Sequence, residues 1–521
     1  MSPRNDPNTI PAAVREAADR FGEDEALVDG TVRLSYRELL EQVRLVARAL
    51  LTEGIQRGDR VAIYSPNTHH WMLAALGASY AGATLVPINT RFTGPEALDI
   101  LTRSQARALV VAGEFLGTDR LTELRAAGTA ESLRTVIRVP VAGPTPDEDG
   151  VLRWEELPEL AAETPARQAD VRAEETGKDD ASDILFTSGT TGRSKGAISA
   201  HRQSLGVAAA WADCGRLTAE DRYLVINPFF HNFGYKAGIL ASLLRGTTVV
   251  PQAVFDVDTA MHVVDAERIT VLPGPPTIYQ SMLDHPGRAE LDLSSLRLAV
   301  TGAATVPVAL VERMQRELSF SCVLTAYGLT EAVVATMCRP EDSAETVAHT
   351  CGRAAADFEV RIEEEGGEIL LRGPHVMLGY LDDPDATKQA IDADGWLHTG
   401  DIGRLDERGY LTITDRLKDM YICGGFNVYP AEVEQTLARL SGVAESAVVG
   451  VPDDRLGEVG KAYIVPSPGG APSTSEVVTY CRERLANYKV PRHVEVREQL
   501  PRNPSGKVLK RVLREESIGD N

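Results

Sequence analysis

Apolar residues near the start of the chain recur at the spacing of one helix face. The helix is expected to begin after Ser35, because Ser35 and Glu38 have the form of a capping box, and to stop at Gly54. Its apolar face consists of residues at helical spacing: Leu39, Val43, Val46, Ala47, Leu50 and Leu51. A second helix is predicted at about residues 71–80.

Short apolar runs between such helical stretches are typical of buried strands. They occupy residues 61–64, 84–86, 184–186, 269–272 and 298–304. Alternating helices and buried strands predict an α/β domain of layered sheets. The stretch 113–180, rich in Ala, Glu, Pro and Thr, is interpreted as a variable surface segment.

The C-terminal part of the chain has a separate pattern. Strands are predicted at 447–451 and 462–465 and a helix at 475–485, which indicates a small α+β domain of about 100 residues. A chain of 521 residues is too long for one ordinary core. We place the boundary at residue 418, so that the domains are 1–417 and 418–521.

The net charge of −21 disfavours nucleic acid and anionic lipid as partners. An anionic substrate must therefore meet local positive charge. Six scattered cysteines without a C-x-x-C pair argue against a zinc site or a redox dithiol. No apolar run approaches the roughly 20 residues that cross a bilayer, and the N-terminus lacks a signal core. We expect a cytoplasmic protein without membrane insertion.

Local positive charge is found in the segment 183–200, which reads DILFTSGTTGRSKGAISA. A short strand leads into a loop of Thr, Ser and Gly that carries Arg193 and Lys195, a combination that suits a polyphosphate. The common P-loop is excluded, because Lys195 is followed by Gly196 and a second strand at 197–200 and not by a helix. A flexible turn is the alternative.

Four further segments follow this loop in a fixed order. They are AYGLTE at 326–331, GWLHTGD at 395–401, GGFNVYPAEVE at 424–434 and LPRNPSGK at 500–507. With the string TSGTTGRSKG, the set resembles the adenylate-forming superfamily of acyl-CoA synthetases, luciferases and adenylation domains over essentially the whole chain. The resemblance implies a large N-terminal domain of several layered α/β subdomains plus a small barrel, and a small mobile C-terminal domain. It also implies ATP, Mg²⁺ and coenzyme A as reactants.

The resemblance assigns roles to individual residues. Lys507 matches the catalytic lysine of adenylate formation, and His231 the histidine beside the forming adenylate. Thr330 offers a hydroxyl to the α-phosphate and Glu331 a carboxylate to Mg²⁺. The phosphate loop would use Thr187, Ser188, Gly189, Thr190, Thr191, Gly192 and Lys195. The adenosine would contact Gly302, Ala303, Ala304, Tyr327, Asp401 and Arg416.

The remaining assignments concern the thiol and the acid. Lys418 matches the hinge, and Gly424 and Gly425 match a tunnel for the thin pantetheine chain. The predicted acid pocket comprises Phe229, Phe233, Lys236, Gly274, Thr301, Gly328, Val334 and Ala335. For Lys236 two interpretations remain, a surface residue or a partner for a polar group at the far end of the substrate.

Within the family, several segments resemble the acyl-CoA ligases of actinobacterial steroid ring degradation, namely 65–71, 227–240, 272–281, 299–307 and 418–434. This resemblance implies a bicyclic indanedione propanoate as the acid. The alternatives are a fatty or aryl acid, a carrier-protein thiol in place of coenzyme A, and nitrite activated for coupling to an amine. A homodimer is also compatible with the sequence.

An inactive, nucleotide-binding homologue is the alternative outside enzymology. Glu331, Asp401, Arg416 and Lys507 are all present, which argues against it. No nucleophilic Ser or Cys arrangement stands out, as expected for a reaction that depends on positioning and charge.

Overall fold

The computed structural model describes residues 6–141, 143, 145–187, 194–302, 308–364, 367–416, 420–467, 470, 472–501, 508 and 510–519. Two clusters of buried apolar side chains lie within residues 10–411, and a separate one lies within 421–513. The predicted fold class, a large mixed α/β N-terminal domain and a smaller C-terminal domain, is confirmed. The boundary at 417/418 lies outside the described residues and stays a prediction.

The largest sheet has eight strands. Their order is Gly379–Tyr380, Lys195–Ala200, Ala181–Thr187, Thr84–Pro87, Arg60–Tyr64, Ala108–Ala112, Thr135–Val139 and Leu152–Arg153. Ala181–Thr187 and Lys195–Ala200 contain the two predicted strands that flank the phosphate loop, and they pair antiparallel in what we call the phosphate hairpin. Gly379–Tyr380 pairs with the outer strand of that hairpin.

The first predicted helix runs over Tyr36–Thr52 and has its capping box. The Ser35 hydroxyl accepts the N–H of Glu38 at 3.2 Å, and the Glu38 carboxylate accepts the N–H of Ser35 at 2.8 Å. The second predicted helix is His69–Tyr80.

The interpretation of 113–180 as a surface segment is wrong where the segment contributes to the core. It contributes the strand Thr135–Val139 to the large sheet, and the helices Leu157–Ala162 and Ala166–Glu175 pack against Tyr36–Thr52. The buried residues of the two helices are Leu157, Ala161, Ala169 and Ala173. Alanine suggested a surface composition, but its small side chain also permits close helix packing.

Two smaller sheets lie beside the large one. One has the order Arg222–Val225, Thr248–Pro251, Glu25–Asp29, Val32–Ser35, and the other Leu298–Thr301, Cys322–Leu329, Ala332–Met337, Arg353–Ala354. The predicted strand 269–272 is reduced to isolated bridges from Val271 to Tyr223 and Leu298, which join these two sheets.

A fourth sheet lies within residues 359–416. It is antiparallel, in the order Glu359–Ile362, Glu368–Arg372, Leu397–Leu405, Leu411–Arg416. Among the described residues its two outer strands do not pair, so these strands form a sheet and not a closed barrel.

The C-terminal domain is the predicted α+β unit. Its sheet runs Phe426–Val428, Tyr421–Cys423, Gly457–Pro466, Val443–Asp453, and His493–Val496 pairs with Gly457–Pro466. The predicted strands thus lie within two longer antiparallel strands. Its helices are Pro430–Leu437, Thr474–Arg482 and Lys510–Gly519, with a 3₁₀ turn at Asn487–Lys489.

The other N-terminal elements connect these sheets. The α-helices are Ile10–Phe21, Gly94–Ser104, Arg120–Ala127, His201–Cys214, Ala241–Arg245, Val257–Glu267, Pro276–Leu283, Val308–Glu317, Ala344–His349 and Pro384–Ala390. Phe233–Leu240 is a π-helix, Trp154–Glu156 and Pro286–Glu290 are 3₁₀ turns, and Glu114–Phe115 pairs with Thr118–Asp119. In the part of the chain that the structure describes, no helix is both long and apolar enough to cross a membrane.

Candidate active site

Thr330 and Glu331 form the tip of a β-hairpin. Its strands are Cys322–Leu329 and Ala332–Met337, and Leu329 pairs with Ala332 across the tip. A Cβ on Gly328 would lie 2.6 Å from the backbone nitrogen of Val334, so only glycine fits there without a shift. Val334 has a φ of 54°, which is strained for a β-branched residue. Such strain clusters at functional sites.

The Glu331 carboxylate is held by a residue that the motifs did not indicate. The hydroxyl of Tyr380 donates a hydrogen bond of 2.6 Å to Glu331 Oε1. Burial, together with the Glu331 charge, raises the pKa of Tyr380 far above its usual range, so the phenol keeps its proton and remains a donor. The Lys195 ammonium lies 5.0 Å from the centre of the Tyr380 ring. The phosphate hairpin and the carboxylate therefore meet at Tyr380.

This arrangement fits Mg²⁺ as its metal. Among the described residues no group of three or more His, Cys, Asp or Glu could cage an ion. Mg²⁺ uses one or two carboxylates and completes its shell with phosphate oxygens and water. Tyr380 occupies Oε1 of Glu331, and no described residue donates a hydrogen bond to Oε2. A single positioned carboxylate beside a phosphate loop is the donor set this ion requires.

His231 lies next to the hairpin tip. Its neighbour Asn232 donates through Nδ2 to the Thr330 carbonyl at 3.4 Å. His231 is exposed to solvent, and desolvation by the surrounding protein lowers its pKa. Its Nδ1 accepts the N–H of Phe233 at 3.3 Å, which leaves the proton of the neutral ring on Nε2. The site therefore contains a neutral imidazole whose Nε2–H can donate.

The structure corrects one interpretation of Lys236, because the residue is 1% exposed and not on the surface. It lies in the π-helix Phe233–Leu240, and its Nζ is 2.9 Å from Asp183 Oδ1 and 2.8 Å from Ser199 Oγ. Both partners belong to the phosphate hairpin. Lys236 thus ties the π-helix to the base of that hairpin, and a contact with substrate stays a prediction.

The other predicted pocket residues differ in accessibility. Phe229 is fully buried, with its ring 5.2 Å from that of Trp71, and Phe233 is half-buried against Trp211. Gly274, Thr301, Val334 and Ala335 are buried, whereas Gly328 is exposed. The buried side chains pack against protein, and their contact with the acid stays a prediction.

The predicted nucleotide residues lie on or next to two pairs of strands in different sheets, Gly302 and Tyr327 at one pair and Asp401 and Arg416 at the other. The Tyr327 hydroxyl donates to Asp401 Oδ2 at 2.7 Å, and the Arg416 backbone stands opposite Asp401 in its sheet. A Cβ on Gly302 would lie 2.9 Å from the carbonyl oxygen of Ala326, so glycine allows these strands to approach closely. Because Tyr327 is in the same hairpin as Thr330 and Glu331, the predicted adenosine and phosphate contacts share one scaffold.

Several predicted residues lie outside the described part of the chain: Ser188, Gly189, Thr190, Thr191, Gly192, Ala303, Ala304, Lys418 and Lys507. The loop that holds the first five is bracketed by Thr187 and Lys195, which pair directly in the hairpin. Their roles stay predictions.

Gly424 and Gly425 lie between Tyr421–Cys423 and Phe426–Val428, which we call the glycine hairpin. Their φ angles are 57° and 84°, a region that favours glycine. A Cβ on Gly425 would lie 4.0 Å from Cγ of Pro275. The hairpin of the C-terminal domain therefore faces the 273–277 turn of the N-terminal domain, next to the predicted pocket residue Gly274.

Comparison with known proteins agrees with this geometry. The family model of the AMP-binding enzyme matches residues 14–381, and that of the AMP-binding enzyme C-terminal domain matches 432–507. A protein of Rhodococcus jostii (strain RHA1) is 62% identical over 510 residues, covering 98% of this chain and 99% of its own length. Its name is 3-[(3aS,4S,7aS)-7a-methyl-1,5-dioxo-octahydro-1H-inden-4-yl]propanoyl:CoA ligase. A Mycobacterium tuberculosis (strain ATCC 25618 / H37Rv) protein of the same name is 58% identical over 513 residues, covering 98% of this chain and 99% of its own.

Solved structures of related enzymes also resemble this chain over nearly its whole length. An amide bond synthetase from Marinactinospora thermotolerans superposes with a TM-score of 0.84 at 29% identity, covering 97% of this chain and 99% of that one. A fatty acyl CoA synthetase of Mycobacterium tuberculosis superposes with a TM-score of 0.70 at 33% identity, over 98% and 99% of the two chains. The resemblance inferred from the motifs is confirmed, and this chain belongs to the AMP-binding enzyme family.

Proposed function

We propose that this protein is an ATP-dependent acyl-CoA ligase that works in two steps. A carboxylate first attacks the α-phosphorus of ATP, which forms an acyl-adenylate and releases pyrophosphate. The thiol of coenzyme A then attacks the acyl carbon, which forms the thioester and releases AMP. The observation that carries the proposal is the meeting of Glu331, Tyr380 and Lys195 at the hairpin tip, within a chain of this family.

In the first step the protein positions reactants and offsets negative charge. The Thr330 hydroxyl would donate to an α-phosphate oxygen, and the Lys195 ammonium would face the departing pyrophosphate. His231, neutral because burial lowers its pKa, would donate from Nε2 without adding a competing positive charge. Mg²⁺ on Glu331 would supply charge neutralisation at the phosphate oxygens.

In the second step the thiol must reach the acyl carbon. The glycine hairpin lies at the 273–277 turn, where glycines 424 and 425 present no side chain to a thin pantetheine arm. The described orientation of the C-terminal domain is therefore the one expected for thioester formation.

For the acid we propose the bicyclic propanoate that the two relatives are named for, 3-(7a-methyl-1,5-dioxo-octahydro-inden-4-yl)propanoic acid. The two relatives are 62% and 58% identical, and the matches cover 98% of the chain. The small apolar residues at 332–336 favour a bulky apolar body. The cytoplasmic location and the homodimer remain predictions.

The test is release of AMP and pyrophosphate with a panel of acids, each with and without coenzyme A. The panel contains fatty acids, aryl acids, the bicyclic propanoate, and nitrite with an aryl amine. We expect turnover that depends on coenzyme A and is fastest with the bicyclic propanoate. Faster turnover of a fatty or aryl acid would overturn the proposed substrate. Turnover that does not depend on coenzyme A would overturn coenzyme A as the proposed acceptor.

Replacing Tyr380 by phenylalanine is expected to weaken the use of Mg²⁺. Hydrogen-bond partners of metal-ligating carboxylates typically contribute about 10–100-fold to metal affinity or activity. We therefore expect the Mg²⁺ concentration at half-maximal ATP–pyrophosphate exchange to rise by about tenfold or more in Tyr380→Phe.

A matched control is Tyr410→Phe, which removes a phenol–carboxylate hydrogen bond to Asp342 elsewhere in the domain. It should leave the Mg²⁺ dependence unchanged. An unchanged Mg²⁺ dependence in Tyr380→Phe as well would show that the phenol does not position Glu331.

A further inference from the structure

One lysine of the C-terminal domain is buried between carboxylates of both domains. Lys489 Nζ lies 2.7 Å from Glu432 Oε1 in its own domain and 2.8 Å from Glu96 Oε1 in the N-terminal domain. Its side chain is 2% exposed, and the ammonium lies 4.2 Å from the centre of the Phe92 ring. We call Glu96, Lys489 and Glu432 the interdomain clasp.

The charges of the clasp depend on one another. Burial alone would lower the pKa of Lys489, but the charges of Glu96 and Glu432 outweigh burial and leave the pKa above its usual range. Burial also raises the pKa of Glu432. The Lys489 ammonium lowers this pKa, but the nearby Glu96 carboxylate raises it, so the pKa stays above its usual value. Glu432 Oε2 is buried without a hydrogen-bond partner among the described residues. Removing one charge would therefore leave the others poorly compensated.

The clasp is connected to the glycine hairpin. Tyr488, next to Lys489, stacks on Phe426 of the hairpin with ring centres 4.6 Å apart and an angle of 22°. The Tyr488 hydroxyl also accepts a hydrogen bond of 3.0 Å from Asn89 Nδ2 of the N-terminal domain. Phe426 of the hairpin is thus linked through Tyr488 to Asn89, and Lys489 is linked to Glu96, so that the hairpin is anchored to the segment 89–96.

We propose that the Glu96–Lys489–Glu432 clasp positions the C-terminal domain for thioester formation and not for adenylate formation. The proposal rests on the two-step ligase function above. The Glu432–Lys489 contact lies within one domain and moves with it, whereas the contact with Glu96 exists only when the domains are arranged as described. An interaction made in one orientation shifts the population towards that orientation and favours the step it serves. Glu96, Lys489 and Asn89 are therefore positioning residues for the second step.

The test variant is Glu96→Gln. The other carboxylate oxygen of Glu96 accepts the N–H of Thr93 at 2.8 Å and caps its helix, and glutamine can keep that bond. We expect the single-turnover rate of thioester formation, started by adding coenzyme A to enzyme-bound adenylate, to fall by about tenfold or more, as for loss of a buried charged partner. ATP–pyrophosphate exchange with the acid should stay within about twofold of wild type, because the contact between Glu96 and Lys489 would be broken when the C-terminal domain turns for adenylation.

A second variant and a control separate positioning from folding. Asn89→Ala removes the neighbouring interdomain hydrogen bond and should lower the same rate selectively. Glu16→Gln makes the same charge change on the solvent-facing side of the helix Ile10–Phe21, where Glu16 pairs with Arg20, and should change neither rate. If Glu96→Gln lowers the rates of both half-reactions equally, or does not lower the rate of thioester formation, the proposed role of the clasp is overturned. A wild-type protein without exchange or thioester formation would overturn the proposed function, and the clasp with it.

Discussion

Replacing Lys236 by methionine is expected to lower the free energy of unfolding of the N-terminal domain by about 3–5 kcal/mol. Asp183 is fully buried, and the Lys236 ammonium at 2.9 Å is the opposite charge that compensates it. Methionine is similar in length but uncharged, so the Asp183 carboxylate would stay buried with only the Ser182 and Ser204 hydroxyls, each at 2.7 Å. Denaturant unfolding followed by fluorescence of the buried Trp71 and Trp211 measures the change.

The double variant Asp183→Asn, Lys236→Met tests the cause. It removes both charges, and asparagine can still accept from the two serine hydroxyls, so most of the lost stability should return. Replacement of a buried pair by neutral residues is often nearly neutral for stability, in contrast to removal of one partner. A loss below about 1 kcal/mol in the single variant, which is the range of an exposed pair, would contradict this account.

Elements set by local chemistry could be predicted from the sequence. The helix Tyr36–Thr52 follows from its capping box and apolar face, and the hairpin around the phosphate loop follows from two short strands flanking small residues. The core residues of 113–180 could not be predicted, because nothing in the local sequence shows that Ala169 and Ala173 are buried. Whether an alanine faces solvent or a neighbouring helix depends on the tertiary packing.

The site residues also divide into those that local sequence motifs indicate and those that depend on long-range contacts. Motif resemblance predicted roles for Tyr327, Thr330 and Glu331, which lie in one hairpin, and for Asp401, which accepts the Tyr327 hydroxyl from a strand of another sheet. Tyr380 could not be predicted, because its partner Glu331 is 49 positions away and no local pattern marks a phenol for that contact. Lys489 gave still less indication, since Glu96 is 393 positions away and a lysine in a polar segment is normally exposed. Long-range charge pairs become visible only once the chain is folded.

The position of Lys236 within an apolar run is explained by a partner inside the protein. The sequence shows a lysine within an apolar run, which leaves two interpretations. One is a surface residue, and the other is a partner for a polar group of the substrate. The structure supplies Asp183, from the strand that leads into the phosphate loop, so the charge stabilises the scaffold of the site.

Replacing Lys507 by alanine is expected to reduce adenylate formation by about 10²–10³-fold or more, the range for losing a group that stabilises transition-state charge. Lys507 lies outside the described residues, so the prediction rests on the match of 500–507 to the family motif and on the chemistry of the step. The carboxylate and the α-phosphate are both anionic, and a lysine between them would offset their repulsion as they meet. ATP–pyrophosphate exchange with the acid measures this step alone.

Thioester formation from preformed acyl-adenylate should be spared in Lys507→Ala, because the adenylate already contains the bond that the lysine helps to form. Lys388→Ala, the same change on an exposed helix, is the matched control and should affect neither step. Equal losses in both steps would contradict the assignment of Lys507. Glu96→Gln is expected to do the reverse, sparing exchange and slowing thioester formation. If both variants behave as expected, different residues of the C-terminal domain serve the two steps, and the domain turns between them.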